Sequence, residues 1–430
     1  MNGPGFRPNH PVPPGEFTVT DRSSDDSSGR SSSVCSDRFA ARVRTGTSPR
    51  RRAVAAVAVL AAALGAAGAL PASAAPSHGP RDAVRKDMER LVTDAGFPAA
   101  LVATADGEGR ARDYTAGVAD LRTKAKVPVD GRVRAGSNTK TFTATVVLQL
   151  VGEGKVDLDA PVEKYLPGLL RGDGVDGRAI KVRQLLQHTS GLPEYTVHIL
   201  KDVFGKARHT YYQPRDLLDI ALKHKADFAP GKSWAYSNTN YVVAGLLIEK
   251  VTGRPLAEQL TERVIDRIGL RRTYFPGVGD EGIKGPHPRG YDAAKPGARL
   301  RDVTKLDPSW GWAAGQMVST PGDLNRFFSA LLGGELLKPA QLAQMRTTVK
   351  VPDEFGYVKG ARYGLGLIRT PLSCGGAMWG HGGSIPGYYT YPGVTEDGRA
   401  ATLAVTANRE PAPDAFAKAD AVVDAALCRK

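Results

Sequence analysis

The sequence Arg134-Ala135-Gly136-Ser137-Asn138-Thr139-Lys140-Thr141-Phe142-Thr143 joins a turn-prone segment, residues 128–131, to the apolar run 146–151. This pattern predicts a buried helix that begins near Ser137. On the first turn of such a helix, Ser137 and Lys140 lie on one face. An amine beside a hydroxyl can activate the serine as a nucleophile. The alternative is a helix-capping serine and a solvated lysine, because a match to S-x-x-K often arises by chance.

The composition is that of a globular protein. The chain has 430 residues, of which 41% are hydrophobic and 24% charged, and its length is sufficient for two or three domains. The net charge of +14 is spread along the chain, without a block of like charge or a nucleic-acid motif, so no nucleic-acid partner is predicted. A basic surface would assist at an anionic cell wall, although basicity without a specific partner is common. The eight histidines and three cysteines have no metal-ligand spacing, and no metal is predicted.

The N-terminal part predicts an exported protein. Residues 1–53 are rich in Pro, Ser, Gly and Arg, which predicts disorder, and they end in Arg50-Arg51-Arg52. Residues 54–74 form an Ala/Val/Leu run that ends in Ala72-Ser73-Ala74, as a secretory signal does. No stop-transfer cluster follows, so we expect cleavage after Ala74, no stable membrane anchor, and secretion into the extracellular cell-wall space. The export route and the true start codon stay open.

The order of predicted elements indicates an α/β (α+β) fold. An amphipathic helix over 84–92 and an antiparallel strand pair precede the Ser137 helix, and further strands return only between 363 and 407. The region of about 153–310 between them is mainly helical. We therefore predict one domain over residues 82–428, with an antiparallel sheet flanked by helices and an inserted helical lobe. The Ser137 helix would lie at the seam of the two lobes, a favoured place for a pocket.

Two further motifs follow the serine in order. Tyr236-Ser237-Asn238 offers a phenol that can carry protons and an amide that can hold a substrate carbonyl. The sequence His381-Gly382-Gly383-Ser384 lets a ligand approach a strand backbone closely. Each motif has a structural alternative: a buried tyrosine with a capping asparagine, or a glycine-rich hairpin around a structural histidine.

Cys374 and Cys428 both lie in the C-terminal part of a chain that we expect to be exported. A disulfide between them is the natural interpretation, worth about 3–4 kcal/mol in the chain-entropy model, and two unpaired thiols are the alternative.

The ordered motifs Ser137-x-x-Lys140, Tyr236-Ser237-Asn238 and His381-x-Gly383 resemble those of the serine penicillin-recognising enzymes. The similarity is greatest to secreted D-alanyl-D-alanine carboxypeptidases, with class C β-lactamases, esterases and D-peptidases as relatives. It covers roughly residues 82–428 and includes Leu372-Ser373-Cys374-Gly375 and the terminal Cys428, where the carboxypeptidases have a disulfide. The resemblance implies a β-lactamase/DD-peptidase-like fold.

The resemblance also implies a role for each matched residue. Ser137 would be the nucleophile, and Lys140 and Tyr236 would share the proton transfers, without an assignment of which is the base. Asn238 would hold the acyl side of the substrate, and the backbone N–H groups of Ser137 and Ser384 would form the oxyanion hole, beside Gly383. Trp310 would line the pocket. No cofactor is implied.

The sequence departs from the carboxypeptidase pattern at two positions that concern recognition of a substrate carboxylate. Gly382 stands where the carboxypeptidases have Thr, and Ile368 stands near the position of their carboxylate-binding arginine, with Arg369 beside it. His381 stands where sister enzymes have lysine. If a protonated His381 holds an anionic substrate, KM would rise as the pH climbs past about 6.5.

These observations lead to one expectation for function. The chain is expected to be a monomeric secreted D-alanyl-D-alanine carboxypeptidase that forms an acyl-enzyme with peptidoglycan-type D-amino-acid peptides and is acylated by β-lactams. An esterase, a D-stereospecific peptidase or a β-lactamase on the same scaffold is the alternative. A non-catalytic penicillin-binding or wall-binding module is disfavoured because Ser137, Lys140 and Tyr236 are all present.

Overall fold

The computed structural model describes residues 80–429, apart from residues 201, 296, 356, 409–410 and 413. The predicted disorder of residues 1–53 and the predicted signal at residues 54–74 lie outside the described residues. Within the described part of the chain, no helix combines the length and the hydropathy needed to cross a membrane.

An antiparallel sheet forms the centre of the fold. In space its strands run in the order β2-β1-β15-β14-β12-β11-β10-β9, and β13 pairs with β14. The strands of the described residues are β1 (Ala99–Ala105), β2 (Ala111–Gly117), β3 (Val133–Arg134), β4 (Arg171–Gly172), β5 (Val175–Asp176), β6 (Tyr291–Asp292), β7 (Arg301–Asp302), β8 (Val318–Ser319), β9 (Val349–Lys350), β10 (Arg362–Tyr363), β11 (Ile368–Pro371), β12 (Ala377–Gly380), β13 (Gly383–Ile385), β14 (Tyr388–Thr395) and β15 (Ala400–Val405).

Helices cover the sheet and fill the region between its N-terminal and C-terminal strands. The α-helices of the described residues are α1 (Pro80–Thr93), α2 (Thr139–Gly152), α3 (Val182–Leu186), α4 (Thr196–Ile199), α5 (Pro214–Ala221), α6 (Thr239–Thr252), α7 (Leu256–Leu260), α8 (Trp312–Gly315), α9 (Pro321–Leu332), α10 (Pro339–Met345) and α11 (Ala415–Cys428). Short 3₁₀ segments occur at 136–138, 162–164, 206–209 and 353–355, and a π-helical turn at 261–265 continues α7.

The strands that begin and end the domain share one hydrophobic layer. Strand β1 pairs with β15 in the register Ala100↔Val405, although more than three hundred residues separate them. Helices α1 and α11 pack on this part of the sheet through Met88 and Phe416, both buried. Helix α9 contacts the same strands, where Asn325 donates a hydrogen bond to the carbonyl of Ala103 at 2.9 Å. Apolar residues two apart along the strands supply both layers, as the period of a strand requires.

Helix α2 occupies the centre of the molecule. Its residues from Thr139 to Leu148 are all buried, and it packs against α6 and α8. A helix that is apolar all round is stable only inside a core. The predicted buried helix behind Ser137 and the antiparallel α/β fold class are therefore confirmed. The elements between residues 153 and 310 are helices, 3₁₀ turns and two-residue strands.

Candidate active site

The N-terminal turn of α2 brings the first pair of predicted residues together. A 3₁₀ turn over Gly136–Asn138 precedes the helix, and Gly136 has φ +52°, a conformation that favours glycine. The Lys140 ammonium nitrogen lies 3.0 Å from Ser137 Oγ. Ser137 is half-buried, whereas Lys140 is fully buried. The arrangement thus has a partly accessible hydroxyl in front of an amine that water does not reach.

Three oxygen atoms surround the Lys140 amine. Besides Ser137 Oγ, it donates to Asn238 Oδ1 at 2.7 Å and to the carbonyl of Ala314 at 2.8 Å. Burial lowers the pKa of Lys140 from 10.5 to about 7, and the negative charge of Glu194 opposes this shift. A substantial fraction of Lys140 is therefore unprotonated at neutral pH, when it can accept the proton of Ser137.

Tyr236 faces the same pair. The Lys140 nitrogen lies 4.8 Å from the centroid of the Tyr236 ring. Burial raises the pKa of Tyr236 well above 10, and a side-chain hydrogen bond with Ser137 opposes this shift. Tyr236 is therefore a neutral phenol across the physiological range, placed to donate a proton rather than to remove one.

Asn238 begins α6 and is held by a carboxylate that the sequence motifs did not indicate. Glu194 Oε2 accepts the backbone N–H of Asn238 at 2.5 Å and its side-chain N–H at 3.0 Å. Glu194 Oε1 accepts the N–H of Thr196 at 2.8 Å. Because these bonds fix the amide, Asn238 Oδ1 points at Lys140. Glu194 has no recognisable motif around it, since its role depends on contact with a residue 44 positions away.

Strand β13 lies directly against the nucleophile turn. A Cβ at Gly383 would stand 2.0 Å from the carbonyl oxygen of Ala135, and one at Gly136 would stand 2.9 Å from the Ser384 nitrogen. Only glycines allow this approach. In the two-residue hairpin that joins β13 and β14, Ile385 pairs with Tyr388. Ser384 therefore takes the next position, where the N–H points away from the partner strand.

The Ser384 N–H thus points away from β14, on a strand that lies against the turn of Ser137. The N–H of Ser137 itself belongs to the unpaired first turn of a helix. Two such donors are what an oxyanion hole needs. The Ser384 side chain turns the other way and donates to Asn408 Oδ1, a partner that no motif indicated.

His381 lies beside the site with both ring nitrogens engaged. Its Nδ1 is 2.7 Å from the carbonyl of Gly382, and its Nε2 is 2.8 Å from the Tyr363 hydroxyl. Burial and the repulsion of Lys140 lower the pKa of His381 from 6.5 to about 3. The imidazole is therefore neutral near pH 7. Burial of His381, which is 3% exposed, and the charge of Lys140 argue against a protonated His381 that holds an anionic substrate.

The carboxylate-binding position also lacks a positive charge. Ile368 is buried in a cluster with Trp234 and Tyr363, against which Tyr236 packs. Arg369 is the next residue of the same strand, so its side chain leaves the opposite face of the sheet. Arg369 therefore does not replace the missing arginine beside Tyr236.

Trp310 and the cysteine pair complete the set of predicted residues. Trp310 is half-buried and lines a small apolar depression with Leu200, Val203 and Pro386, two residues after Ser384. The Tyr195 hydroxyl donates to the carbonyl of Trp310. Away from the site, a disulfide joins Cys374 to Cys428, the last residue of α11.

A family model described as "Beta-lactamase" matches residues 82–427. The chain belongs to the β-lactamase family. It is therefore a serine hydrolase of the superfamily that includes the penicillin-binding proteins, and the resemblance drawn from the three motifs is confirmed.

Two solved structures align with most of the chain. A D-stereospecific amidohydrolase from Streptomyces sp. is 41% identical, with a TM-score of 0.72, and the match covers 80% of this chain and 98% of that one. The D-amino acid amidase from Ochrobactrum anthropi SV3, complexed with L-phenylalanine amide, is 27% identical with a TM-score of 0.69, over 80% and 98% of the two chains.

Curated relatives match shorter stretches. An N-acetylmuramyl-L-alanine amidase of Bacillus subtilis is 32% identical over 221 residues, which are 48% of this chain and 48% of that protein. A putative D-alanyl-D-alanine carboxypeptidase of Salmonella paratyphi A is 32% identical over 144 residues, 32% of this chain and 33% of that protein. The chain thus spans a third to a half of the length of these relatives.

Proposed function

We propose that this protein is an exported serine hydrolase that cleaves the amide bond after a D-amino acid whose α-amino group is free. The observation that carries the proposal is the charge of the site. The Glu194 carboxylate lies beside Asn238, whereas neither Ile368 nor the neutral His381 supplies a positive charge. A carboxylate attracts an ammonium group, whereas a carboxypeptidase must bind a carboxylate.

Glu194 has the capacity for one more hydrogen bond. An ionised carboxylate offers about four acceptor positions. The N–H groups of Thr196 and Asn238 and the Asn238 side chain occupy three of them. Glu194 is half-buried, so the remaining position can receive a substrate ammonium. Asn238 would meanwhile hold the acyl portion of the substrate beside Ser137.

The reaction follows from the two shifted pKa values. Neutral Lys140 takes the proton of Ser137, and Ser137 Oγ attacks the substrate carbonyl carbon. The backbone N–H groups of Ser137 and Ser384 stabilise the oxyanion. Tyr236 gives its proton to the leaving amine and regains one from Lys140, so that charge balances when the acyl-enzyme forms. Water then attacks the acyl-enzyme, the same proton transfers run in the opposite direction, and the D-amino acid is released.

Preference for the D-configuration is supported by similarity rather than by geometry. The Streptomyces amidohydrolase is described as D-stereospecific, and the Ochrobactrum enzyme as a D-amino acid amidase. Both align with almost their full length.

The test compares substrates that differ only at the amino group. For wild type, kcat/KM should be much higher for D-phenylalanine p-nitroanilide than for its N-acetyl derivative, and higher than for the L-enantiomer. In Glu194→Gln the preference for the free amine should fall by about 10- to 100-fold, because a charged hydrogen bond is worth about 1.5–3 kcal/mol. Equal rates for the free and acetylated substrates in wild type would contradict the proposal.

A D-alanyl-D-alanine carboxypeptidase is the second candidate, favoured by the relatives from Salmonella strains that are described as putative enzymes of this type. An acylated peptide that ends in D-Ala-D-Ala distinguishes the two. A higher kcat/KM for this peptide than for D-phenylalanine p-nitroanilide would support the carboxypeptidase. Acylation of Ser137 by a fluorescent penicillin, and loss of the label in Ser137→Ala, test the proposed β-lactam reactivity under either candidate.

Export is a proposal of its own, supported by the basic and apolar sequence before Ala74 and by the disulfide. N-terminal sequencing of protein recovered from the culture medium should begin at Ala75. Retention of the whole chain inside the cell would contradict it. We further propose a monomer, for which size-exclusion chromatography with light scattering should give the mass of one chain.

A further inference from the structure

Two histidines and a tyrosine form a buried chain of hydrogen bonds next to the site. His188 Nε2 lies 3.1 Å from the Tyr363 hydroxyl oxygen, and this oxygen lies 2.8 Å from His381 Nε2. His188 and Tyr363 are fully buried and His381 almost so. The chain connects three separate segments: the turn after α3, strand β10 and the connection between β12 and β13.

The partners at the two ends fix the position of each proton. The carbonyl of Gly382 can only accept, so His381 carries its proton on Nδ1 and its Nε2 accepts from Tyr363. At the other end His188 Nδ1 accepts the N–H of Ser237 at 3.1 Å, so its proton lies on Nε2. His188 Nε2 therefore donates to Tyr363. Each hydrogen bond in the chain has one donor and one acceptor only when both imidazoles are neutral.

His188 also holds both neighbours of Tyr236. Its carbonyl accepts the N–H of Ala235 at 3.1 Å, while its ring accepts the N–H of Ser237. The ring itself lies against the Tyr236 ring, with centroids 4.3 Å apart. Asn240 donates a further hydrogen bond to His188 Nδ1 at 3.2 Å. The backbone and the ring of Tyr236 are thus positioned by one imidazole.

The groups around this chain make a second positive charge costly. The titratable side chains that face the two imidazoles are Lys140, Tyr236, Tyr241 and Tyr363. A proton on either histidine would add a cation beside Lys140 in a site that water does not reach. It would also remove the acceptor that Tyr363 or Ser237 requires.

We propose that His188 and Tyr363 are positioning residues for Tyr236, and that they act through a proton-ordered chain that ends at His381. Tyr363 fixes the ring of His188, and His188 fixes the backbone and ring of Tyr236. The Tyr236 hydroxyl is thereby held in one orientation relative to Ser137 and Lys140. His381 belongs to this chain and is not a substrate-binding group.

The first test reads the protons directly and does not depend on any substrate. Protein labelled with ¹⁵N in its histidines is examined by two-bond ¹H–¹⁵N correlation, and His188→Gln and His381→Gln assign the two rings. From about pH 6 to 8, His188 should be protonated at Nε2 only and His381 at Nδ1 only. The opposite tautomer of either ring, or a cationic ring in this interval, would overturn the proposal.

The second test uses Tyr363→Phe, which removes one hydroxyl from the chain. An anilide needs a proton on its leaving nitrogen, whereas p-nitrophenolate leaves without one. We therefore expect kcat/KM, which reports acylation, to fall about 10- to 100-fold for D-phenylalanine p-nitroanilide and to stay within about 3-fold for the corresponding p-nitrophenyl ester. An equal fall for both substrates, or none for either, would contradict a positioning role.

Tyr389→Phe is the matched control. Tyr389 is buried, and its hydroxyl donates to Asp420 at 2.7 Å in the layer under α11. This variant should leave the ratio of anilide to ester rates unchanged. The kinetic test rests on the proposed function. Failure of wild type to cleave the anilide would count against that function alone, since the tautomers are measured without it.

Discussion

The lowered pKa of Lys140 predicts how activity depends on pH. Below about pH 7 the amine is protonated and cannot take the proton of Ser137. The rate constant kcat/KM, which reports the free enzyme, should therefore fall on the acid side with an apparent pKa of about 7. A lysine at its ordinary pKa of 10.5 would instead leave the enzyme almost inactive at neutral pH.

The magnitude follows from one titration. Half of the molecules have a neutral Lys140 at pH 7, roughly a tenth at pH 6 and roughly a hundredth at pH 5, so kcat/KM should drop about 100-fold between pH 8 and pH 5. Neither Tyr236 nor His381 titrates in this interval. Burial keeps the pKa of Tyr236 well above 10 and, together with Lys140, lowers that of His381 to about 3.

Glu194 allows the assignment to be tested. Its negative charge raises the pKa of Lys140, so Glu194→Gln should move the acid limb to lower pH. The control is Glu262→Gln, which removes an exposed carboxylate outside the site and should leave the limb in place. Initial rates on N-acetyl-D-phenylalanine p-nitroanilide, which has no free α-amino group to titrate, give the profiles in buffers of constant ionic strength. A rate that is flat from about pH 5 to 9, or a limb that moves equally in both variants, would refute the role of Lys140.

Three further variants probe other parts of the site and the fold. Tyr236→Phe should lower kcat for an anilide by about 10²- to 10⁴-fold with little change in KM, because it removes a proton donor; a change in KM alone would contradict this role. Gly383→Ala should abolish acylation by a fluorescent penicillin, because its Cβ would meet a backbone oxygen at 2.0 Å, whereas Gly382→Ala, with no atom nearer than 3.6 Å, should react normally. Replacing Cys374 and Cys428 by Ser should lower the free energy of unfolding by about 4 kcal/mol for a separation of 54 residues, measured by urea denaturation; an unchanged midpoint would contradict it.

The sequence predicted those parts of the fold that depend on local pattern. Helices α5 and α10 both start with proline, a residue suited to the first helical position. The strand pair β1–β2 was also recognisable from alternation and glycine-containing turns. The pairing of β1 with β15 was not, because neither strand carries information about a partner three hundred residues away.

The residues of the site likewise fall into those that a local motif predicts and those that only the folded chain reveals. Ser137, Lys140, Tyr236 and Asn238 lie in short motifs, and the structure brings their side chains together. Glu194 has no motif of its own. The neutral state of His381 was likewise beyond sequence reasoning, because it results from burial and from the distance to Lys140, which only the folded chain defines.

The pairing of β1 with β15 has a consequence for synthesis of the chain. Ser137 and Lys140 are synthesised well before β13, which carries the Ser384 N–H nearly 250 residues after Ser137. The partner that joins the first strand to this region, β15, emerges later still. A ribosome-bound chain that has not yet reached β13 thus contains Ser137 and Lys140 but lacks the Ser384 N–H that we propose as the second oxyanion donor. Hydrolytic competence would therefore arise only after β13 and β15 have been synthesised.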